Sequence, residues 1–160
     1  MPYDRSDMYQ PDHAAHTSET AHHDDRVQYL VVADASSLDQ LELEIAALPL
    51  CARGRVFIEV DRPEDISNIT VPLRMTVAWL TRSTRAARAA GTVLRPRGQA
   101  IERAVRAWTA EMLCDSAGAT RAILSGDYNT VSDLYDHLVT EIGMPVAHIA
   151  TPASYRLNAR

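Results

Sequence analysis

Residues 27–37 read VQYLVVADASS. A nearly unbroken apolar, β-branched run gives way to one acid and three small residues. A strand with one face in water would alternate polar with apolar, and this one does not. It therefore reads as a strand covered on both faces, the kind found in parallel sheets. The period changes after Ser37. Leu38, Leu41, Ile45 and Leu48 share one helical face and Pro49 marks the stop. Ser36 and Asp39 form a near capping box with Asp in place of Glu. The chain thus opens as strand, short loop, helix.

The same alternation continues outward from there. Residues 54–60 (GRVFIEV) and 75–80 (MTVAWL) read as a second and third strand. The connection between them contains Pro63 and Pro72, with room for a short helix at most. A long connection over 81–119 begins Arg-rich and irregular. It ends as a helix with Ile101, Val105, Trp108 and Met112 on one face. Residues 120–125 (TRAILS) form a fourth strand. Gly126-Asp127 then turns into a helix facing inward with Val131, Leu134, Tyr135, Leu138 and Ile142, with Thr130 and Asp133 as candidate caps. Gly143 suits the residue after the helix end and Pro145 follows it. Residues 146–150 are a short fifth strand. Apolar strands alternating with helices predict an α/β fold, a Rossmann-like doubly wound parallel sheet of about five strands.

At 160 residues the chain suits one domain, and 46% apolar residues suffice for a core. Residues 1–25 differ from the rest. They hold six acids against one base, four of the six histidines (His13, His16, His22 and His23) and almost no aliphatic residues. Such a segment is expected to be a disordered tail, because it buries too little to offset its ordering entropy. Loose binding of a divalent metal by its histidines is the alternative. From residue 26 onward acids and bases balance, which argues against a nucleic-acid or membrane-surface binder. No apolar run approaches the roughly 18 residues of a membrane span. Cys51 and Cys114 lie far apart, as reduced thiols of a cytoplasmic protein would. Lysine is absent, which excludes Schiff-base chemistry and a P-loop lysine.

In a doubly wound sheet, ligands bind at the carboxyl ends of the strands. After the first strand, Ala33-Asp34-Ala35-Ser36 offers small residues ahead of a helix, where a phosphate can reach free N–H groups, although an ordinary helix cap is the commoner reading of such a loop. After the third strand, Thr81-Arg82 sets a hydroxyl beside a guanidinium, a pair suited to a phosphomonoester or, alternatively, a solvated loop. After the fourth, Gly126 in Ser125-Gly126-Asp127 lets backbone pass close to a flat ligand, while Asp127 suits a helix start. His137 reads as a polar helix residue and His148 as a partly buried residue of the last strand. Seven arginines over 81–110 (82, 85, 88, 95, 97, 103 and 106) face one acid, Glu102. They would attract a phosphorylated cofactor or an acidic partner, or simply balance acids elsewhere.

The runs YLVVADASSLDQLELEIAALP, RGRVFIEV, VAWLTR and AILSGDYNTVSDLYDHLVTEIGMPVAHI, in that order, resemble the C-terminal domain of siderophore-interacting proteins. Members of that family read like VVADASALPALARxLEALP, RVxVEV, VTWLxR and WxAGEAxxVRxxRRHLxxERGLP, with a GYWR-like tail. They are flavoprotein ferric-siderophore reductases of the ferredoxin-reductase group. The resemblance covers residues 28–156 and implies a ferredoxin-reductase NAD(P)-domain-like unit over 26–160 that binds NAD(P)H. It implies that Ala33, Asp34, Ala35 and Ser36 face the cofactor and that Thr81 and Arg82 hold a 2′-phosphate or ribose. It further implies that Ser125, Gly126 and Asp127 lie near the nicotinamide and that Tyr155 falls where an aromatic tail residue is expected.

Departures accompany the likeness. Family members carry a flavin-binding barrel ahead of this domain, and here only a polar tail stands there. No RxYT-like flavin motif occurs, and the tail reads Ala153-Ser154-Tyr155 where Gly-Tyr-Trp is expected. FAD is therefore not expected in this chain. Two functions compete: an NAD(P)H-binding unit that serves a separate flavin-binding protein in ferric-siderophore reduction, and a non-catalytic interaction module that kept the fold.

Overall fold

The apolar run that opens the sequence becomes β1 (Gln28–Asp34), the central strand of a five-stranded parallel sheet. The structure, a computed structural model, describes residues 27–83, 91, 94–113 and 117–157. The expected tail, Arg85, Arg88 and Cys114 lie outside the described residues. Helix α1 (Leu38–Ala46) follows β1, then come β2 (Arg53–Val60) and β3 (Arg74–Thr81). After these come α2 (Gln99–Met112), β4 (Thr120–Leu124), α3 (Tyr128–Asp136) and a two-residue β5 (Ile149–Ala150). Strand order is β3-β2-β1-β4-β5, and every pairing is parallel. The order reverses between β1 and β4, so the ligand crevice of this fold is expected at the carboxyl ends of those two strands. No helix among the described residues is long and apolar enough to cross a membrane.

Period-two alternation along β1 divides the core in two. Leu30 and Val32 face one side with Phe57, Ile101, Val105, Trp108, Leu124, Leu134 and Leu138. Val31 and Ala33 face the other with Leu41, Ile45, Val56, Ile58, Val60 and Met75. All four β1 residues are fully buried. Both faces being apolar is what the unbroken hydrophobic run required.

Several local expectations are corrected. The Ser36–Asp39 capping box does not form; the Ser36 hydroxyl donates to Asp34 Oδ1 instead, at 2.6 Å. Asp127, not Thr130 or Asp133, caps α3, its Oδ2 accepting from the N–H groups of Asn129 and Thr130. Met112 does not join the core face of α2; it is 46% exposed. The helix after Asp127 ends in a wide π turn (His137–Glu141), with Ile142 N–H bonded to the His137 carbonyl. His137 is buried rather than surface-polar, its Nε2 lying 3.1 Å from the Thr109 hydroxyl. Residues 146–148 form a 3-10 turn, and His148 sits in it rather than in a strand.

Gly54 shows how tightly the sheet is built. Its φ is +147°, and a Cβ there would stand 1.9 Å from the Tyr29 carbonyl oxygen. Gly54→Ala is expected to cost about 2–3 kcal/mol, because strained backbone and a rigid backbone neighbour both oppose it. Thermal unfolding followed by circular dichroism should show a Tm roughly 10 °C lower. A melting curve superimposable on the parent's would mean that the strand shifts freely.

Candidate functional site

Six candidate residues meet at the crevice, and the Asp34 carboxylate joins three of the others, Ser36, Gly126 and Asp127. Asp34, at the end of β1, accepts the Ser36 N–H (2.8 Å) and hydroxyl on Oδ1. Its Oδ2 accepts the Asp127 N–H from across the sheet, at 2.8 Å. Gly126 lies against it with φ +112°; a Cβ there would come within 2.8 Å of the Asp34 carboxyl group. The Ser125 hydroxyl donates to the Val32 carbonyl at 2.9 Å, tying β4 to β1 beneath this point. Tyr155, on the 3-10 turn Ala153–Tyr155, donates its hydroxyl to the Gly126 carbonyl at 2.5 Å. The Tyr155 ring stands edge-on to Tyr128, with centroids 5.2 Å apart. Partial burial, and then the negative charges of Asp127 and Asp34, push the Tyr155 phenol above its usual value.

Two clefts open at the carboxyl ends of the strands. One, of about 270 Å³, opens over the ends of β1, β2 and β3 and is lined by Asp34, Ala35, Ser36, Glu59, Asp61, Arg82 and Arg97. The other, of about 380 Å³, lies over the ends of β4 and β5; Ser125 shares its wall with Gln40, Glu44 and Thr151. Both are wide enough for part of a nucleotide. Among the described residues no group of His, Cys, Asp and Glu is arranged to hold a metal ion.

The remaining candidates stand apart from that convergence. Ala33 is fully buried in the α1-side core and does not line either cleft. The Thr81 hydroxyl donates to the Ser83 carbonyl at 3.2 Å, and Thr81 is not part of the cleft wall. Arg82 reaches the first cleft but is not the solvated loop residue expected. Its side chain is 14% exposed, with Nε donating to the Arg95 carbonyl (2.8 Å) and Nη1 to Asp61 (2.5 Å). The register of β2 on β3 explains this, since it sets Val60 beside Thr81 and so Asp61 beside Arg82.

Sequence reasoning overlooked Glu59. It is 4% exposed, with Oε2 accepting the Gly98 N–H at 2.8 Å. The available signal was a carboxylate inside the apolar run GRVFIEV, one residue from its end.

Arg82→Ala should lower stability by about 1–2 kcal/mol, a charge-assisted pair discounted for the partial exposure of Asp61. Urea denaturation checks it, and an unchanged midpoint would return Arg82 to the solvent. For Tyr155, a folded-state pKa above the unfolded value means stability that is intact below pH about 10 and lost as pH rises through the higher folded value. The urea midpoint should therefore fall more steeply above pH about 10 in the parent than in Tyr155→Phe. Equal slopes would show that the phenol is not held.

Residues 26–155 match the family described as siderophore-interacting protein. Uncharacterized proteins of Mycobacterium bovis and Mycobacterium tuberculosis are 38% identical over 58 residues, which is 36% of this chain and 20% of theirs. Among solved structures, a siderophore utilization protein from T. fusca superposes with a TM-score of 0.57 at 19% identity, over 77% of this chain and 42% of that one. The siderophore-interacting protein of Acinetobacter baumannii gives 0.57 at 10% identity, over 78% and 44%. SipS of Aeromonas hydrophila gives 0.51 at 14%, over 78% and 49%. These likenesses show the fold, and the chain spans half or less of each of those proteins. With the match extending over most of its length, the chain belongs to the siderophore-interacting protein family.

Proposed function

We propose that this domain binds a reduced nicotinamide dinucleotide and presents it to a flavin on a separate flavin-binding protein, as one half of a ferric-siderophore reductase. The observation that carries this reading is the cleft over the carboxyl ends of β1, β2 and β3, lined in part by the loop after β1, with a second cleft over the ends of β4 and β5. Asp34 and Ser36 belong to the wall of the first cleft, and Ser125 to that of the second. Family membership supplies the iron-acquisition context. The residues fit a ligand that donates hydrogen bonds better than one that brings charge. The Ser36 N–H and hydroxyl already bond Asp34, so the α1 N-terminus offers a phosphate little. The dinucleotide, when bound, supplies the hydride; the chain's own part is to bind and orient it.

The internal carboxylate also favours a second reading. With Asp34 satisfying the loop donors, the crevice is complete without a ligand, as in a module that keeps the fold for interaction alone.

Titration calorimetry with NADH and NADPH separates the two. Binding of either with a dissociation constant in the micromolar-to-millimolar range supports the first reading. Full-range titrations of both without heat would leave the interaction module. The purified 160-residue chain should be colourless and reduce no ferric siderophore until a flavin-binding partner is added. Bound flavin in stoichiometric amount would overturn the division of labour.

A further inference from the structure

A charged cleft lies at the opposite end of the sheet from the crevice. Gln28, Arg53 and Arg74 begin β1, β2 and β3 and stand side by side in register. Arg55 follows two residues after Arg53, so the period of a strand puts it on the same face. The last turn of α2 lies over that face. The cleft between them, of about 290 Å³, is lined by these four residues with Trp108, Glu111 and Met112. Trp108 is buried there and Met112 exposed.

Like charges directly opposite each other on neighbouring strands, about 5 Å apart, are destabilising. Arg53 and Arg74 are such a pair. Arg55 adds a third guanidinium, its Cζ 6.0 Å from the centre of the Phe57 ring. Both Arg53 and Arg74 take part in other interactions as well. Among the lining residues Glu111 supplies one negative charge against three positive ones. Carboxylates suit such a cluster, because a guanidinium takes one through paired N–H···O bonds.

A source of carboxylates runs directly into this wall. The chain enters β1 at Gln28, itself a lining residue. Residues 1–25 hold six acids and one base, and the last two acids, Asp24 and Asp25, fall four and three residues before Gln28. An extended chain spans at most about 3.3–3.6 Å per residue, so both stay within roughly 14 Å of Gln28. Tethering on that scale gives a local concentration in about the millimolar range, enough for ion pairs that are weak between separate molecules.

We propose that the cleft at the amino ends of β1, β2 and β3 is a docking site for a carboxylate-rich peptide segment, and that its occupant is the chain's own acidic segment ending in Asp24-Asp25. Charge holds this contact, not buried apolar area, and for that reason low apolar content alone leads to the expectation of a disordered tail.

Nitrogen-15 relaxation on the full chain tests it. At low salt the backbone order parameters of Asp24 and Asp25 should exceed about 0.6, the upper bound for a flexible segment, and they should fall in about 1 M salt, where charges are screened beyond about 3 Å. Replacing both acids, Asp24→Asn with Asp25→Asn, changes no described residue and should remove the salt dependence. Arg55→Gln or Arg74→Gln should remove it too; should an arginine variant fail to fold, the double Asn variant decides alone. Order parameters that are equal in the parent and the Asn variant and indifferent to salt would overturn the docking, since attachment to β1 alone predicts that result. Salt-dependent order that survives both arginine substitutions would place the acids elsewhere and overturn it as well. Loss of that order on dilution would assign them to a second copy and overturn the intrachain occupant. An added oligo-aspartate peptide should bind the Asn variant more tightly than the parent, and equal binding would show that the segment does not fill the cleft.

Discussion

Asp34 holds the crevice together. One carboxylate satisfies a backbone N–H and a hydroxyl on its own loop and a backbone N–H at the start of α3. Those donors sit on either side of the reversal in strand order, so the bond network joins the two halves of the sheet where pairing alone leaves an opening. The Ser125 hydroxyl on the Val32 carbonyl and the Tyr155 hydroxyl on the Gly126 carbonyl extend the same tie downward and outward. The charge-assisted bonds to the Asp34 carboxylate are among the stronger polar contacts a protein makes, at about 1.5–3 kcal/mol each.

The same arrangement sets the electrostatics of anything that binds there. A dinucleotide site in this architecture ordinarily offers bare N–H groups to a diphosphate. Here the loop donors already have an anion, supplied by the chain itself. The walls of the first cleft carry buried Glu59, the Asp61–Arg82 pair and exposed Arg97.

Much of the fold was legible because it rests on period. β1, β2, β3 and β4 are apolar runs, and burial on both faces is the simplest reason for such runs. The ends of these four strands lie within a residue of those expected, whereas the last strand is cut to Ile149–Ala150 by the 3-10 turn before it. The parts that were not legible depended on partners distant in sequence. Arg82 reads as a loop residue until β2 and β3 are paired, when Asp61 falls beside it. His137 reads as a polar helix residue, and only the packing of α2, which brings Thr109 to its ring, shows it buried. Ser36 looked like a cap because the local pattern fits one, but Asp34 lies closer and takes the hydroxyl. The candidate site divides likewise. Asp34, Ser36, Ser125, Gly126, Asp127 and Tyr155 converge because they end adjacent elements. Glu59 escaped notice because a lone acid in an apolar strand gives no hint of which way its oxygens face.

Gly126 and Asp34 also constrain each other's replacement. A methyl group at 126 meets the Asp34 carboxyl group, and the +112° backbone opposes any side chain there as well. Shortening residue 34 would relieve the collision but not the backbone, and it would strip the partner from the Asp127 N–H. Neither position therefore has a single-step escape through the other. The cleft walls carry no such mutual constraint, so a side chain such as exposed Arg97 can be exchanged without disturbing the joint between the two halves of the sheet.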